Sequence, residues 1–209
     1  MLEIQDWGLI DYQIAWDKQK ELVQDIQENR NRSILVLCEH PSVITIGRNG
    51  RENNLNISQN FLNQIGIKVI YNNRGGDITL HNPGQLVGYP IFNLTDYKED
   101  LHWFLREIEL CIIELIEFFG ITAHREEGIT GVWLEGNRKI AAIGLHCSRW
   151  VTSHGFALNI NNELREFDYI IPCGIRNKEV TSISKELGTL IEVDLAKFKC
   201  IEVFREHFG

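Results

Sequence analysis

The sequence predicts an α/β chain of the α+β kind, a mixed sheet flanked by helices. Three observations lead there. Continuous apolar runs at 33–38 (SILVLC) and 85–92 read as buried strands, apolar residues recur at helical spacing across 12–26 and 101–119, and the two kinds of element do not alternate strictly as β-α-β.

In chain order, Tyr12, Ala15, Trp16, Gln19, Leu22, Val23 and Ile26 form the stripe of a first helix. The run SILVLC stops just before Pro41, and 67–71 (IKVIY) repeats the buried-strand pattern. Residues 77–80 follow a glycine pair and can run as a short strand, which would put Asp77, Thr79 and His81 on one side. The helix over 101–119 closes at Gly120, a residue suited to the left-handed C′ position. Strands follow at 131–134, 139–145 and 151–160, the middle one entered through the turn Glu135-Gly136-Asn137. A last helix is expected from Asp194, an N-cap type, with Leu195, Phe198, Ile201 and Phe204 toward the core. No Ser-, Gly- or Pro-rich tract marks a linker, so residues 1–209 read as one domain.

Composition narrows the function. With 44 % hydrophobic and 24 % charged residues the chain can build an ordinary core. A net charge of −8 disfavours nucleic acid as a partner, because that affinity comes largely from Lys and Arg neutralising phosphates. Neither a basic leader nor an apolar run of about 18 residues is visible, so no membrane span and a cytoplasmic location are expected. The five cysteines form no C-x-x-C pair, so neither a disulfide framework nor a metal site is expected. Cys38, Cys111 and Cys200 lie in apolar stretches and read as small core residues, while Cys147 is left open.

Polar chemistry concentrates in four blocks. RGGDITLHNPGQLVGYP (74–90) sets Arg74, His81 and Gln85 on a glycine-shaped backbone, without the spacing of a P-loop or a dinucleotide fingerprint. A plain glycine turn beside a strand explains its composition equally well. RKIAAIG (138–144) opens an apolar strand with Lys139, which reads either as a snorkelling surface lysine or as a cation at a pocket rim. TSHGFALN (152–159) sets Gly155 between His154 and apolar residues. IIPCGI (170–175) places Cys173 between Pro172 and Gly174, where backbone N–H groups can face a reacting carbonyl, although a lone cysteine is more often an inert thiol.

Together and in this order, the four blocks resemble the lipoyl(octanoyl) transferases. Glu39-His40-Pro41 and Val180-Thr181-Ser182-Ile183 extend the likeness over nearly the whole chain. The resemblance implies the catalytic-domain fold of biotin and lipoate protein ligases. It also implies an acyltransferase that moves octanoyl from the phosphopantetheine thioester of acyl carrier protein to a lysine of lipoyl domains, those of 2-oxoacid dehydrogenase complexes and the glycine cleavage H protein. Neither ATP nor a metal is needed. By motif position, Cys173 carries the acyl group as a thioester and Lys139 lowers its pKa. The acyl pocket falls on Arg74, Gly75, Gly76, Asp77, Ile78, Thr79, Leu80 and His81, on Ala142, Ile143 and Gly144, and on Gly155, Phe156 and Ala157.

The chemistry is consistent with those assignments. A thiol of pKa near 8.5 is only slightly ionised at neutral pH. An ammonium about 4 Å away is worth about 4 kcal/mol at an effective dielectric near 20, before desolvation, enough for a shift of one or two units. Transfer from sulfur to an amine runs downhill to an amide without a nucleotide. The acceptor lysine must lose a proton, and Lys139, His81 and His154 are rival relays, with the histidines also able to support an oxyanion. Arg48, Arg51, Arg74, Arg138, Lys139 and Arg149 are candidates for a local basic patch that would meet an acidic carrier protein. The alternative on the same fold is an ATP-dependent lipoate or biotin ligase, which needs no nucleophilic cysteine.

Overall fold

A computed structural model describes residues 2–29, 32–171 and 179–209, and Cys173, Pro172 and Gly174 lie outside them. The larger sheet holds β1 (Leu2–Leu9), β2 (Ser33–Glu39), β6 (Gln85–Phe92), β10 (Val151–Asn159), β9 (Arg138–Ser148), β8 (Ile129–Leu134) and β7 (His124–Glu126) in that spatial order. In this sheet β1 pairs parallel with β2, β11 (Glu179–Val180) pairs parallel with β9, and the other neighbours run antiparallel. A smaller mixed sheet has the order β4 (Lys68–Tyr71), β3 (Val43–Ile46), β5 (Ile78–His81).

The continuous apolar run of β2 is explained by helices on both faces of the larger sheet. Ile34, Val36 and Cys38 pack with Ala15 and Ile26 of α1 (Tyr12–Glu28). Leu35 and Leu37 face the opposite cluster, built from α3 (Leu101–Phe118) and α5 (Val193–Phe208). The two long helices α1 and α3 start on carboxylate caps: Asp11 accepts from Gln13 N at 2.8 Å and Asp100 from Trp103 N at 3.0 Å. Gly120, at φ +77°, follows α3 as expected. The smaller sheet has its own core with α2 (Gln59–Gln64) and Phe167, and α4 (Ile183–Leu187) follows β11. Among the described residues no helix is long and apolar enough to cross a membrane.

The last helix corrects the sequence reading. Its N-cap is Glu192, with no side-chain cap bond, and Asp194 points to solvent. The buried stripe is Ala196, Cys200, Val203, Phe204 and Phe208, whereas Leu195 and Phe198 are 43 % and 67 % exposed. Two apolar stripes run along this helix. The one with the tighter i, i+4, i+8 spacing from 196 docks, so the 195/198 stripe is turned away. The edge strand β1 has no sequence counterpart either: its alternation spans only Leu2, Glu3, Ile4 and Gln5 before breaking at Asp6, and its side chains are mostly half-buried.

Candidate active site

A cavity of about 360 Å³ lies between the two sheets, within the usual size range of small-ligand sites. Its walls bring together separate sequence blocks. Arg74, Gly76, Asp77, Ile78, Thr79 and His81 form one side, Ala142, Ile143, Gly144, Gly155, Phe156 and Ala157 the other, and Lys139 and His154 also line it. Two predicted residues lie off the cavity. Leu80 is fully buried in the core of the smaller sheet, and Gly75 spends its N–H on Leu145 O at 2.8 Å. That bond presses the 74–77 loop onto β9, where a Cβ on Gly144 would stand 2.7 Å from Gly75 O. Only glycine admits this approach.

Arg74 is buried, with its guanidinium fixed by a residue that sequence reasoning did not find. Thr45 takes Nη2–H on its carbonyl at 2.6 Å and on Oγ1 at 3.0 Å, and Nε–H on Oγ1 at 3.1 Å. His81 is buried and neutral: desolvation pushes its pKa down to about 3, with His40 adding to the effect. It donates from Nδ1 to Gln85 Oε1 at 2.8 Å, which leaves Nε2 as the basic nitrogen, and it stacks on Tyr12. His154 is also held near 3, by burial first and then by Arg74. Its Nε2 bonds Asn73 Oδ1 at 2.7 Å, its Nδ1 is buried without a partner, and its backbone sits at φ +56°. Tyr12, whose hydroxyl is pushed up to about 12 by burial, and Tyr89, which donates to His40 Nε2 at 2.6 Å, complete the polar wall.

Lys139 is only 8 % exposed, so the snorkelling reading is wrong. Its ammonium lies 5.0 Å from the centre of the Trp133 ring. Its strand is flanked by β8 on one edge and β11 on the other, where Val180 faces Lys139 and also lines the cavity. Residues just before position 172 are anchored too: Ile171 N–H bonds Asn54 O at 2.8 Å, and Asn56 Nδ2 donates to Ile170 O at 3.1 Å. Burial raises the thiols of Cys38, Cys111, Cys147 and Cys200 above the ordinary value. Of the six cations expected to form a basic patch, Arg74 and Lys139 are buried, Arg138 is bound to Glu186 and Arg149 to Gln27. Arg48 and Arg51 remain exposed, on either side of Asn49, which lines the cavity, and Gly50.

Tyr12, Asn49, Gln85, Tyr89, Asn159, Phe167 and Val180 also line the cavity. Gln85 and Asn159 lie inside motifs already singled out, whereas Tyr12 reads in sequence as one more residue of a helix stripe. Among the described residues no group of three or more His, Cys, Asp or Glu is arranged to hold a metal ion.

Comparison with known proteins agrees with this picture. The lipoyl protein ligase A/B catalytic domain matches residues 11–205. Curated bacterial octanoyltransferases are 41–47 % identical to the chain. One from Solibacter usitatus is 47 % identical over 202 residues, covering 97 % of this chain and 89 % of its own. Among solved structures, P. falciparum LipL1 in complex with lipoate superposes with a TM-score of 0.80 at 16 % identity, covering 99 % of this chain and 62 % of the other. The biotin protein ligase from Aquifex aeolicus gives 0.54 at 13 %, covering 98 % and 67 %. At those identities the structures share the fold.

Proposed function

Because the chain belongs to the lipoyl protein ligase A/B catalytic-domain family, as an octanoyltransferase, we propose that it passes octanoyl from acyl carrier protein to a lipoyl-domain lysine by way of Cys173. The Cys173 thiolate attacks the thioester carbonyl of the donor. The bond from carbonyl carbon to pantetheine sulfur breaks, and the released thiolate takes up a proton. The acceptor amine then attacks the Cys173 thioester, forming the amide, breaking the C–S bond and giving up a proton. Sulfur replaces sulfur in the first step, and amide formation drives the second, so no nucleotide is consumed.

One observation carries this reading: Lys139 is buried at the cavity, and Val180, which follows the 172–178 segment closely, pairs beside it. A nearby ammonium is what a thiolate nucleophile needs. The four described thiols are raised by burial and are poor nucleophiles, which favours Cys173. The apolar stretch of cavity at Ile78, Val87, Ile143 and Phe156 suits the acyl chain. His81 and His154, neutral across the working pH range, serve as hydrogen-bond acceptors or donors to the reacting groups and not as resting acids.

Intact-mass measurement after mixing the protein with octanoyl-acyl carrier protein tests the proposal. The expected product is one octanoyl adduct on the peptide containing Cys173, labile to hydroxylamine and absent from Cys173→Ala. An enzyme that instead needs ATP and free octanoate, and acquires no adduct, is a ligase on this fold.

A further inference from the structure

Among the described residues, a buried carboxylate side chain lies outside the cavity, reached by two half-exposed arginines. Glu109 lies in the middle of α3 on its core-facing stripe and is completely buried. Its Oε2 pairs with Arg106 at 2.6 Å and with Arg125 at 3.3 Å. Its Oε1 accepts the backbone N–H of Gly131 at 3.0 Å. A carboxyl in a helix core is costly to bury, and a leucine there would pack without that cost, so the position calls for an explanation.

The explanation lies on the other side of Gly131. This residue adopts φ +127°, a conformation open to glycine, and its N–H is turned toward α3. Immediately beyond it the β8–β9 ladder slips: Val132 faces Ala141 but Trp133 faces Lys139, leaving Ile140 as the extra residue of a bulge. Bulges of this kind re-aim side chains. A Cβ on Gly131 would stand 2.6 Å from Lys139 Cε, 3.2 Å from Lys139 Nζ and 2.7 Å from Ala141 O. The lysine stem therefore lies in the space where a side chain at 131 would be, with its head over Trp133.

We propose that Gly131 and Glu109 are positioning residues for Lys139: Glu109 clamps the Gly131 backbone in a glycine-only conformation, and the vacant face of Gly131 seats the lysine stem so that its ammonium reaches the cavity. This inference rests on Lys139 and Cys173 acting as proposed above. Glu109 works from the far side of the sheet and touches no reacting atom.

The test reads the pH midpoint of Cys173 alkylation by iodoacetamide alongside kcat and KM for octanoyl-acyl carrier protein and the thermal midpoint. In Gly131→Ala the alkylation midpoint is expected to rise by about one unit as the ammonium is displaced. With it, kcat should fall roughly 10²-fold, as for a misplacement near 1 Å, while KM holds within about twofold. Glu109→Gln keeps an oxygen for the Gly131 N–H and should retain the wild-type midpoint, whereas Glu109→Ala should follow Gly131→Ala. A folded Gly131→Ala with an unchanged midpoint and kcat overturns the inference. So do Glu109→Gln and Glu109→Ala that lose thermal stability equally and leave the midpoint alone. If Gly131→Ala does not fold, the Glu109 pair decides. Wild-type protein that forms no Cys173 adduct refutes the catalytic reading instead.

Discussion

His81 and Lys139 belong to different sheets yet are joined by one hydrogen-bonded chain. His81 Nδ1–H bonds Gln85 Oε1 at 2.8 Å, Gln85 Nε2 donates to Asn159 Oδ1 at 2.9 Å, and Asn159 Nδ2 donates to Thr181 O at 2.9 Å. Thr181 N–H then bonds Lys139 O at 2.9 Å. Every link is buried, so a missing member leaves an orphan that water cannot satisfy. Gln85→Leu strands the His81 N–H at a cost of about 1–3 kcal/mol and releases Asn159 from its donor. Urea unfolding should show that loss, and kcat should fall because the chain that seats β11 against β9 has slackened. Unchanged stability together with an unchanged rate would show that the network positions nothing.

Acid should destabilise the protein through its buried imidazoles, of which His81 and His154 are pushed furthest down while His40 is lowered in the same direction. His81 and His154 titrate near 3 in the folded state against an ordinary 6.5, so between those limits the unfolded chain binds more protons. Their contribution is therefore complete above about pH 6.5 and is lost as the pH falls toward 3, at ~1.4 kcal/mol per pH unit for each residue. Urea midpoints across pH 6.5 to 5, before most carboxylates titrate, read this slope. His154→Asn, a residue that tolerates positive φ, should lower the slope by one proton. An identical slope in that variant would contradict the neutral buried histidine.

Gly88 and Phe156 are complementary. A Cβ on Gly88 would lie 2.2 Å from the Phe156 ring, on the neighbouring strand and in direct register. Gly88→Ala should destabilise by roughly 1–3 kcal/mol through overpacking. Phe156→Leu in the same chain should recover part of that loss, because the shorter side chain vacates the space. A double-mutant cycle with no coupling between the two positions would place the strain elsewhere.

Strands β2, β6 and β9, helix α3 and the strand after the glycine pair were legible because burial on one or both faces writes a pattern into their residues. What escaped has no such pattern. Thr45 sits in the apolar run Val43–Ile46 and looks like a strand residue, but its hydroxyl and carbonyl hold Arg74. Tyr12 falls on the helical stripe and reads as core until its stacking on His81 is known. Gly131 and Glu109 are 22 residues apart and meet only through tertiary packing. The buried face of α5 is not legible in the sequence because both of its stripes are apolar, and only docking against α3 and the sheet selects one. Three of the four motif blocks line the cavity, and their convergence on it is a property of sheet order; residues 172–175 of the fourth lie outside the described residues.

The exposed arginines beside the cavity-lining Asn49 predict a salt-dependent encounter. Of the expected basic patch Arg48, Arg51 and Arg149 are exposed, and Arg48 and Arg51 flank Asn49, so an acidic carrier protein should meet those two first. Stopped-flow or steady-state kcat/KM for octanoyl-acyl carrier protein should fall with ionic strength, and Arg48→Glu should lower it roughly tenfold at low salt while leaving kcat near wild type. A flat salt response would reject the patch.

Arg74 and Thr45 give a test of how the glycine-rich loop is held. Three of the guanidinium contacts go to the one threonine, through a hydroxyl and a carbonyl that a planar fork reaches together. Thr45→Val keeps the shape and the carbonyl but removes the hydroxyl, so two buried N–H contacts of a cation lose their acceptor. Bonds to a charged group are worth about 1.5–3 kcal/mol, and the stability loss should fall near that range. Arg74→Lys should cost more, since one ammonium cannot reproduce the bond to Gly75 O at 3.0 Å together with the Thr45 pair. Because the loop rests on Gly144, either change should also loosen the cavity wall proposed to receive the acyl chain, raising KM for the octanoyl donor before it lowers kcat. A stability loss with KM untouched would mean that the arginine braces the fold without shaping the pocket.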